Sequence, residues 1–161
     1  MNPYAPHLGD RDPVSVVKAT AARLRSLVAA LPQDTLDQSP APGKWGVRDI
    51  LSHLADTELA FAFRLRQALA EPHHVIQPFD QERWAAGYPT VSAAAALDTF
   101  AAVRAWNVLL LENIPPAALA KPVTHPERGD MTFGVLIETM AGHDLNHLRR
   151  LEELAAPHAS R

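Results

Sequence analysis

Three histidines have positions that would allow them to bind one metal ion. His143 and His147 are four residues apart in a stretch with helical apolar spacing, so their side chains lie on one helix face, one turn apart. His53 lies within another apolar stretch, residues 50–55. Two imidazoles from one helix and a third from a neighbouring helix can coordinate a cation and leave a position open. The spacing therefore predicts a three-histidine site for a divalent metal.

Other interpretations of these residues stay open. A histidine beside an apolar core is often a packed structural residue, and an H-x-x-x-H pair also arises by chance. The segment from His143 through Asp144 to His147 is similar to the zincin pattern H-E-x-x-H. However, Asp is one methylene shorter than Glu and no third zincin histidine follows, so we reject a metalloprotease. His73 and His74 lie in a proline-rich segment, and we interpret them as solvated loop residues.

Two carboxylates lie on the helix faces that carry the histidines. Glu58 is on the apolar side of the His53 helix, and Asp144 follows His143 directly. A buried carboxylate can orient a ligand imidazole or act as general base on metal-bound water. Glu58 is the candidate catalytic residue. The alternative, which we favour for both carboxylates, is an ion pair with an arginine such as Arg104.

Composition narrows the class of protein. A chain of 161 residues with 47% apolar residues is typical of one globular domain. The formal charge is −3 and no basic run is present, so no nucleic-acid partner is expected. The absence of cysteine excludes disulfides, thiolate ligands and cysteine nucleophiles, and it fits a cytoplasmic protein. We find no signal-peptide layout and no apolar run of transmembrane length, so no membrane association is expected.

Four long intervals without proline organise the chain. Each carries apolar residues at helical spacing, which predicts helices at about 13–31, 47–70, 91–113 and 133–155. Asp12 and Thr132 are suitable N-caps, and Gly46 is a permissive one. No segment alternates apolar and polar residues with β-branched enrichment, so no strands are expected. These patterns predict an all-α single domain, residues 1–161, built as a four-helix bundle.

Two long proline-rich segments, 71–89 and 114–131, connect the predicted helices. Connections longer than about 12–15 residues are usually functional or disordered. The first segment is too aromatic for a simple linker, and we expect both to line the mouth of the site. Trp84, in the first segment, and Arg128, in the second, are the candidate substrate or cosubstrate residues. Arg128 could attract an anionic group.

Four motifs, in this order, resemble the DinB/YfiT-like metalloenzyme family. They are residues 44–58 (KWGVRDILSHLADTE), residues 79–84 (FDQERW), residues 125–129 (HPERG) and the pair His143 and His147. The resemblance spans roughly residues 13–155. Relatives often have Ser or Thr in place of Gly46, and Gln where Arg149 and Arg150 stand. These departures concern the thiol or substrate that is bound and leave the metal ligands untouched.

The resemblance implies a bundle with up-down-down-up connectivity and a divalent metal, zinc or nickel, held by His53, His143 and His147. Many members form homodimers. Characterised relatives include S-transferases that use low-molecular-weight thiols and a thiol-dependent isomerase, and others are called metal-dependent hydrolases. The resemblance thus implies a hydrolase or a thiol S-transferase acting on a small molecule.

Two further functions remain as alternatives on the residues alone. One is a non-catalytic metal-binding or stress-related bundle, and the other is a bundle whose histidines only pack. Since the chain has no cysteine, any thiol must come from a cosubstrate. Apolar residues off the main stripe of the third helix could cover a second copy of the chain or lie under the long segments; they are Trp106, Leu109 and Leu110.

Overall fold

The computed structural model describes residues 2–156 and consists mainly of helices. Within these residues the six α-helices are α1 Ala5–Leu8, α2 Pro13–Ala29, α3 Val47–Ala70, α4 Gln81–Ala85, α5 Ala93–Leu111 and α6 Phe133–Ala155. Short 3₁₀ segments cover Gln33–Thr35, Tyr88–Thr90 and Pro116–Ala120. The four long helices begin and end within two residues of the predicted bounds and form the expected four-helix bundle.

The most extensive helix contacts in the bundle join helices that are not consecutive in the chain, α3 with α5 and α2 with α6. The consecutive helices α2 and α3 each pack against both α5 and α6. Lys18, early in α2, pairs with Glu112 just beyond the end of α5. Arg25, late in α2, pairs with Asp98 in the first half of α5, so these two helices run antiparallel. One apolar core joins the inner faces of all four helices.

Local hydrogen bonds explain where the long helices begin. Asp12, Ser92 and Thr132 each accept a hydrogen bond from the backbone N–H three residues later, which satisfies a donor that the first turn leaves unpaired. The predicted caps at Asp12 and Thr132 are confirmed. At the start of α3 the direction is reversed, because the Gly46 N–H donates to the Asp49 carboxylate at 2.9 Å.

Glycine at position 46 has a packing reason. A Cβ atom built there would lie 2.2 Å from the backbone oxygen of Gln38, well inside van der Waals contact. A serine or threonine would therefore require the preceding loop to move. The missing capping hydroxyl follows from this close approach of the two backbones.

The expectation of no strands was wrong. The two long segments form a three-stranded sheet in the order β1 (His74–Val75), β2 (Pro122–His125) and β3 (Gly129–Thr132). β1 and β2 are parallel, and β2 and β3 form an antiparallel hairpin that closes through residues 126–128. Gly129 has φ of 79° and supplies the left-handed residue that such a short turn favours. The sequence did not indicate these strands because two to four residues are too short to show an alternating pattern. In addition, the parallel strands β1 and β2 come from distant parts of the chain.

The expectation that no apolar run reaches transmembrane length also needs correction. Judged by length and apolar composition only, α5 is the one helix within residues 2–156 that could cross a membrane, with mean hydropathy 1.3. Alanines and leucines cover its outer as well as its inner surface. α5 nevertheless packs against α2 and α3 and carries the buried Arg104, as expected for a bundle helix.

The N-terminal segment packs on α6 at Gly142. A Cβ atom at Gly142 would lie 2.5 Å from the backbone oxygen of Tyr4 and 2.8 Å from its Cβ. We therefore expect Gly142→Ala to lower the free energy of unfolding by about 1–3 kcal/mol through overpacking, although alanine favours helix by up to about 1 kcal/mol. Urea denaturation followed by helical circular dichroism measures this change.

Gly134→Ala is the matched control, because it lies on the same helix and its nearest neighbour, the Leu119 backbone oxygen, is 3.3 Å from the built Cβ. We expect it to stay within about 1 kcal/mol of the parent protein. A Gly142→Ala protein more stable than the parent would contradict the close packing of Tyr4 on α6.

Candidate metal centre

α3 and α6 bring the three predicted histidines together. His53 lies at the end of the second turn of α3. His143 lies near the middle of α6, and His147 lies one turn later. Their exposed fractions are 2%, 5% and 7%, so all three are buried. One ring nitrogen from each lies within 4.8 Å of the others, and the Nε2 atoms of His53 and His143 are 3.0 Å apart. Imidazoles from distant parts of the chain therefore converge on one point.

The donor set and its spacing suit a transition metal. Nitrogen ligands about 2.0–2.1 Å from a tetrahedral zinc ion lie roughly 3.3 Å from each other. The 3.0 Å between the Nε2 atoms of His53 and His143 is close to that separation. Three neutral nitrogens suit zinc, nickel or iron more than magnesium or calcium, which prefer oxygen.

Burial keeps the imidazoles unprotonated at neutral pH. Loss of solvent lowers the pKa of His53 to about 4. Burial, followed by the nearby His53, lowers the pKa of His147 to about 3. Burial and the two other histidines hold the pKa of His143 well below its ordinary value. Since only an unprotonated imidazole can coordinate a metal, all three rings are in the ligand form.

No protein acceptor orients two of these rings. Within residues 2–156, the Nδ1 atoms of His53 and His147 are buried and have no hydrogen-bond partner. Metal-binding histidines usually donate their second N–H to a carboxylate or carbonyl. The suggestion that Glu58 or Asp144 orients a ligand ring is not realised for these two nitrogens, because neither carboxylate bonds to them.

Aromatic side chains form the walls of the centre. Trp45, which precedes α3, lies 5.1 Å from the His53 ring, and Tyr4 meets the His143 ring edge-on at 5.2 Å, both between ring centroids. Trp45 lies within the motif at residues 44–58, whereas no sequence pattern pointed to Tyr4. The contact of Tyr4 depends on α1 folding back onto α6, and no local pattern marks that packing.

A cavity of about 350 Å³ opens on the histidine cluster. It is lined by Tyr4, Gly43, Lys44, Trp45, His53, Gln81, Glu82, Asn146, His147 and Arg150. The first long segment does reach this cavity, through Gln81 and Glu82 of α4. Trp84 is outside the lining and instead faces two neighbouring cavities, beside Phe79 at 4.6 Å between ring centroids.

Arg128, the second candidate substrate residue, is exposed in the turn between β2 and β3. Burial lowers the pKa of His125, and the charges of Arg128 and Arg64 lower it further. The Arg128 charge also makes a small contribution to the low pKa of His143. Arg128 thus lies close enough to His125 to influence its pKa, and it does not line the cavity of the histidine cluster.

Behind the histidines, Arg104 joins two carboxylates inside the bundle. Its Nε and Nη2 atoms donate to the two oxygens of Glu58 at 2.9 and 2.7 Å. Its Nη1 and Nη2 atoms donate to Asp144 at 2.6 and 3.0 Å. All three residues are 1% exposed. Both carboxylates are therefore held by one guanidinium, which is the arginine ion pair expected for them from the sequence.

Further donors complete this network. The Asn107 side-chain amide donates to Glu58 at 2.8 Å, and the Thr20 hydroxyl donates to Asp144 at 2.8 Å. Burial alone lowers the pKa of Arg104, but the carboxylates of Asp144 and Glu58 outweigh it and raise that pKa above its ordinary value. Arg104 thus stays charged in the core, as buried ionic groups with several hydrogen bonds can.

Sequence comparison identifies relatives of the chain. The profile of the DinB superfamily matches residues 17–151. A protein of Oceanobacillus iheyensis named "putative metal-dependent hydrolase" is 31% identical over 132 residues, covering 81% of this chain and 77% of its own length.

Solved structures share the architecture. YfiT from Bacillus subtilis, described as "a probable metal-dependent hydrolase with an unusual four-helix bundle topology", superposes with a TM-score of 0.79 at 22% identity. That match covers 88% of this chain and 83% of YfiT. A mycothiol-dependent maleylpyruvate isomerase matches with a TM-score of 0.62 at 12% identity, over 89% of this chain and 57% of the isomerase. At these identities the structures establish the fold. With the profile covering most of its length, this chain belongs to the DinB superfamily.

Proposed function

We propose that His53, His143 and His147 bind one divalent transition metal, zinc or nickel, and that the protein is a metal-dependent enzyme acting on a small molecule. The observation that carries the proposal is the convergence of three buried, unprotonated imidazoles, with ligand nitrogens within 4.8 Å of one another. The name of the Oceanobacillus iheyensis relative agrees with this chemistry. A cavity that opens on His53 and His147 gives a substrate access.

Different groups of residues would have different roles in this enzyme. A bound metal would supply Lewis-acid chemistry, lowering the pKa of a bound water or thiol so that it becomes a nucleophile at neutral pH. The aromatic side chains of Tyr4 and Trp45 restrict water around the imidazoles. The Arg104 network fixes α6 against α3 and α5, which keeps His143 and His147 in register with His53.

Glu58 as a general base stays a prediction. Its contacts favour the ion-pair alternative, because both oxygens already accept hydrogen bonds from Arg104 and Asn107. Cosubstrate binding by Trp84 and Arg128 likewise stays a prediction, and their places outside the histidine cavity make a direct contact with the reacting atoms less favoured.

Two reactions fit the proposed centre, hydrolysis and transfer to a low-molecular-weight thiol. Hydrolysis is favoured by the name of the relative at 31% identity. Thiol transfer is favoured by the fold shared with a mycothiol-dependent isomerase and by a cavity large enough for a small cosubstrate. Incubating the metal-loaded protein with model electrophiles, with and without bacillithiol-like and glutathione-like thiols, separates the two. Product mass spectrometry then reports either added water or added thiol.

A non-catalytic metal-binding or stress-related protein is the second candidate. Such a protein would bind the metal at the same three histidines without catalysing a reaction. One equivalent of bound metal, with no product formed from the electrophiles either with or without a thiol, would favour this candidate. Metal analysis must use protein purified without a nickel column. Metal below about a tenth of an equivalent would leave only the packing interpretation of the histidines.

Location in the cytoplasm and assembly as a homodimer also belong to this proposal. Large apolar side chains are exposed along the outer faces of α3 and α5, and a second copy of the chain could cover them. They are Leu59, Phe63, Trp106 and Leu109, with exposed fractions of 48%, 56%, 64% and 54%. A monomeric mass in sedimentation at micromolar concentration would contradict the dimer.

A further inference from the structure

Two cations from distant parts of the chain line the histidine cavity. Lys44 lies just before α3, and Arg150 lies on α6 one turn beyond His147. Both line the cavity together with His53 and His147. Within residues 2–156 neither side chain forms an ion pair or a hydrogen bond, so the ammonium and the guanidinium are available to a ligand.

Of the two adjacent arginines on α6, only Arg150 lines the cavity. Arg149 points along the outer face of α6, where its Nε donates to the Glu153 carboxylate at 3.0 Å. Arg150 instead borders the cavity, and its charge contributes to the low pKa of His147 after burial and His53. Two consecutive arginines therefore differ in surroundings, one paired at the surface and one at the cavity.

The charged side chains around the cavity suit an anionic ligand. Lys44 and Arg150 contribute two positive charges and Glu82 contributes one negative charge, which leaves one positive charge on the lining. A divalent metal held by the histidines would add two further positive charges. A volume of about 350 Å³ is at the small end for ligand sites. These features indicate a small anion, and Asn146 and Gln81 offer neutral hydrogen-bonding groups beside it.

We propose that Lys44 and Arg150 bind the carboxylate of a small substrate or cosubstrate and direct its other end toward the three histidines. The inference rests on the proposed function, because the histidines are taken to hold the metal. A guanidinium offers two parallel N–H groups that match the two oxygens of a carboxylate. The small cavity favours a compact carboxylate over a phosphate monoester.

The test compares two thiols of equal reach, mercaptopropionate with a carboxylate and mercaptopropanol without one. Protein loaded with Co²⁺ is titrated with each thiol, and the absorption of the metal reports thiol binding. We expect the parent protein to bind mercaptopropionate at least about fivefold more tightly. Lys44→Gln and Arg150→Gln should each reduce that preference about two- to fivefold, the range for exposed ion pairs, and the double variant should abolish it.

Arg149→Gln is the matched control, since it removes a charge of the same kind one residue away, and it should retain the parent preference. The preference should also fall as salt is raised, because exposed charges are screened. If the double variant discriminates between the two thiols as well as the parent, the assignment of Lys44 and Arg150 is wrong, whether or not the metal is bound. Tighter binding of propyl phosphate than of propionate, lost in the double variant, would overturn the choice of a carboxylate.

A protein that does not bind metal can be distinguished from one that lacks the anion site. If the parent protein takes up no Co²⁺, the proposed function fails, and the inference is tested on the metal-free protein with propionate and propionamide. Nuclear magnetic resonance then follows the side-chain Nε–H signals of Arg149 and Arg150. A shift of the Arg150 signal with propionate alone would support the anion site. Equal shifts with both compounds, or none, would contradict it.

Discussion

Replacing Arg104 with methionine is expected to lower the free energy of unfolding by about 3–5 kcal/mol, because Glu58 and Asp144 would remain buried without their cation. Methionine is unbranched and adapts to the space that the arginine stem occupies, so lost packing contributes less than the lost charge. Equilibrium urea denaturation, followed by helical circular dichroism, measures the loss. A loss below about 1 kcal/mol would show that the buried network contributes no more than a surface pair.

Arg25→Met is the matched control for charge removal from a bundle helix. Arg25 pairs with Asp98, but the two side chains are 54% and 70% exposed, so we expect a loss below about 1 kcal/mol. Should Arg104→Met fail to fold, Thr20→Val offers a milder test. It removes one hydroxyl that donates to Asp144 at 2.8 Å, and we expect a loss of about 1–3 kcal/mol.

Removing one imidazole is expected to eliminate stable metal binding. His53 is the only one of the three proposed ligands that comes from α3, so His53→Ala leaves a pair on one helix. We expect the parent protein to bind close to one equivalent of metal. The metal affinity of the variant should be at least about 100-fold weaker, because losing a ligand should cost more than the roughly 10–100-fold loss of affinity seen when a group that only orients a ligand is removed. Equilibrium dialysis with elemental analysis measures both.

Thermal unfolding gives a second readout of the same site. A metal concentration about 100 times the dissociation constant stabilises the parent by about 2.7 kcal/mol, or roughly 5–10 °C for a chain of this size. His53→Ala should lose this shift. His73→Ala is the control, because His73 is exposed and bonds to Thr124 away from the centre. A parent protein with no metal-dependent shift would contradict the proposed centre.

Helix positions were predictable because they depend on neighbours along the chain. Proline intervals, apolar spacing and the caps at Asp12 and Thr132 act within a few residues, and they place the long helices to within two residues. The i and i+4 spacing of His143 and His147 is equally local. The sheet was missed because β1 pairs with β2 across about fifty residues, and strands this short carry no pattern of their own.

The surroundings of the site were harder to predict. Trp84 is predicted as a substrate residue because aromatic side chains are rare in linkers, and this stays a prediction. Gln81 and Glu82, on the same short helix, line the histidine cavity, whereas Trp84 does not. A five-residue helix presents its residues in several directions, and only its docking on α3 selects which of them reach the cavity.

By itself, the amino-acid sequence determined four long helices, the starting caps at Asp12 and Thr132, and a histidine pair on one helix face. Each of these follows from contacts no more than about one turn long. Tertiary structure decided that His53 joins the pair, that Arg104 holds Glu58 and Asp144, and that Tyr4 covers Gly142. It also brought Lys44 to the same cavity as Arg150. Such partners come from distant parts of the chain, and they meet only when apolar faces bury one another and fix how the helices pack.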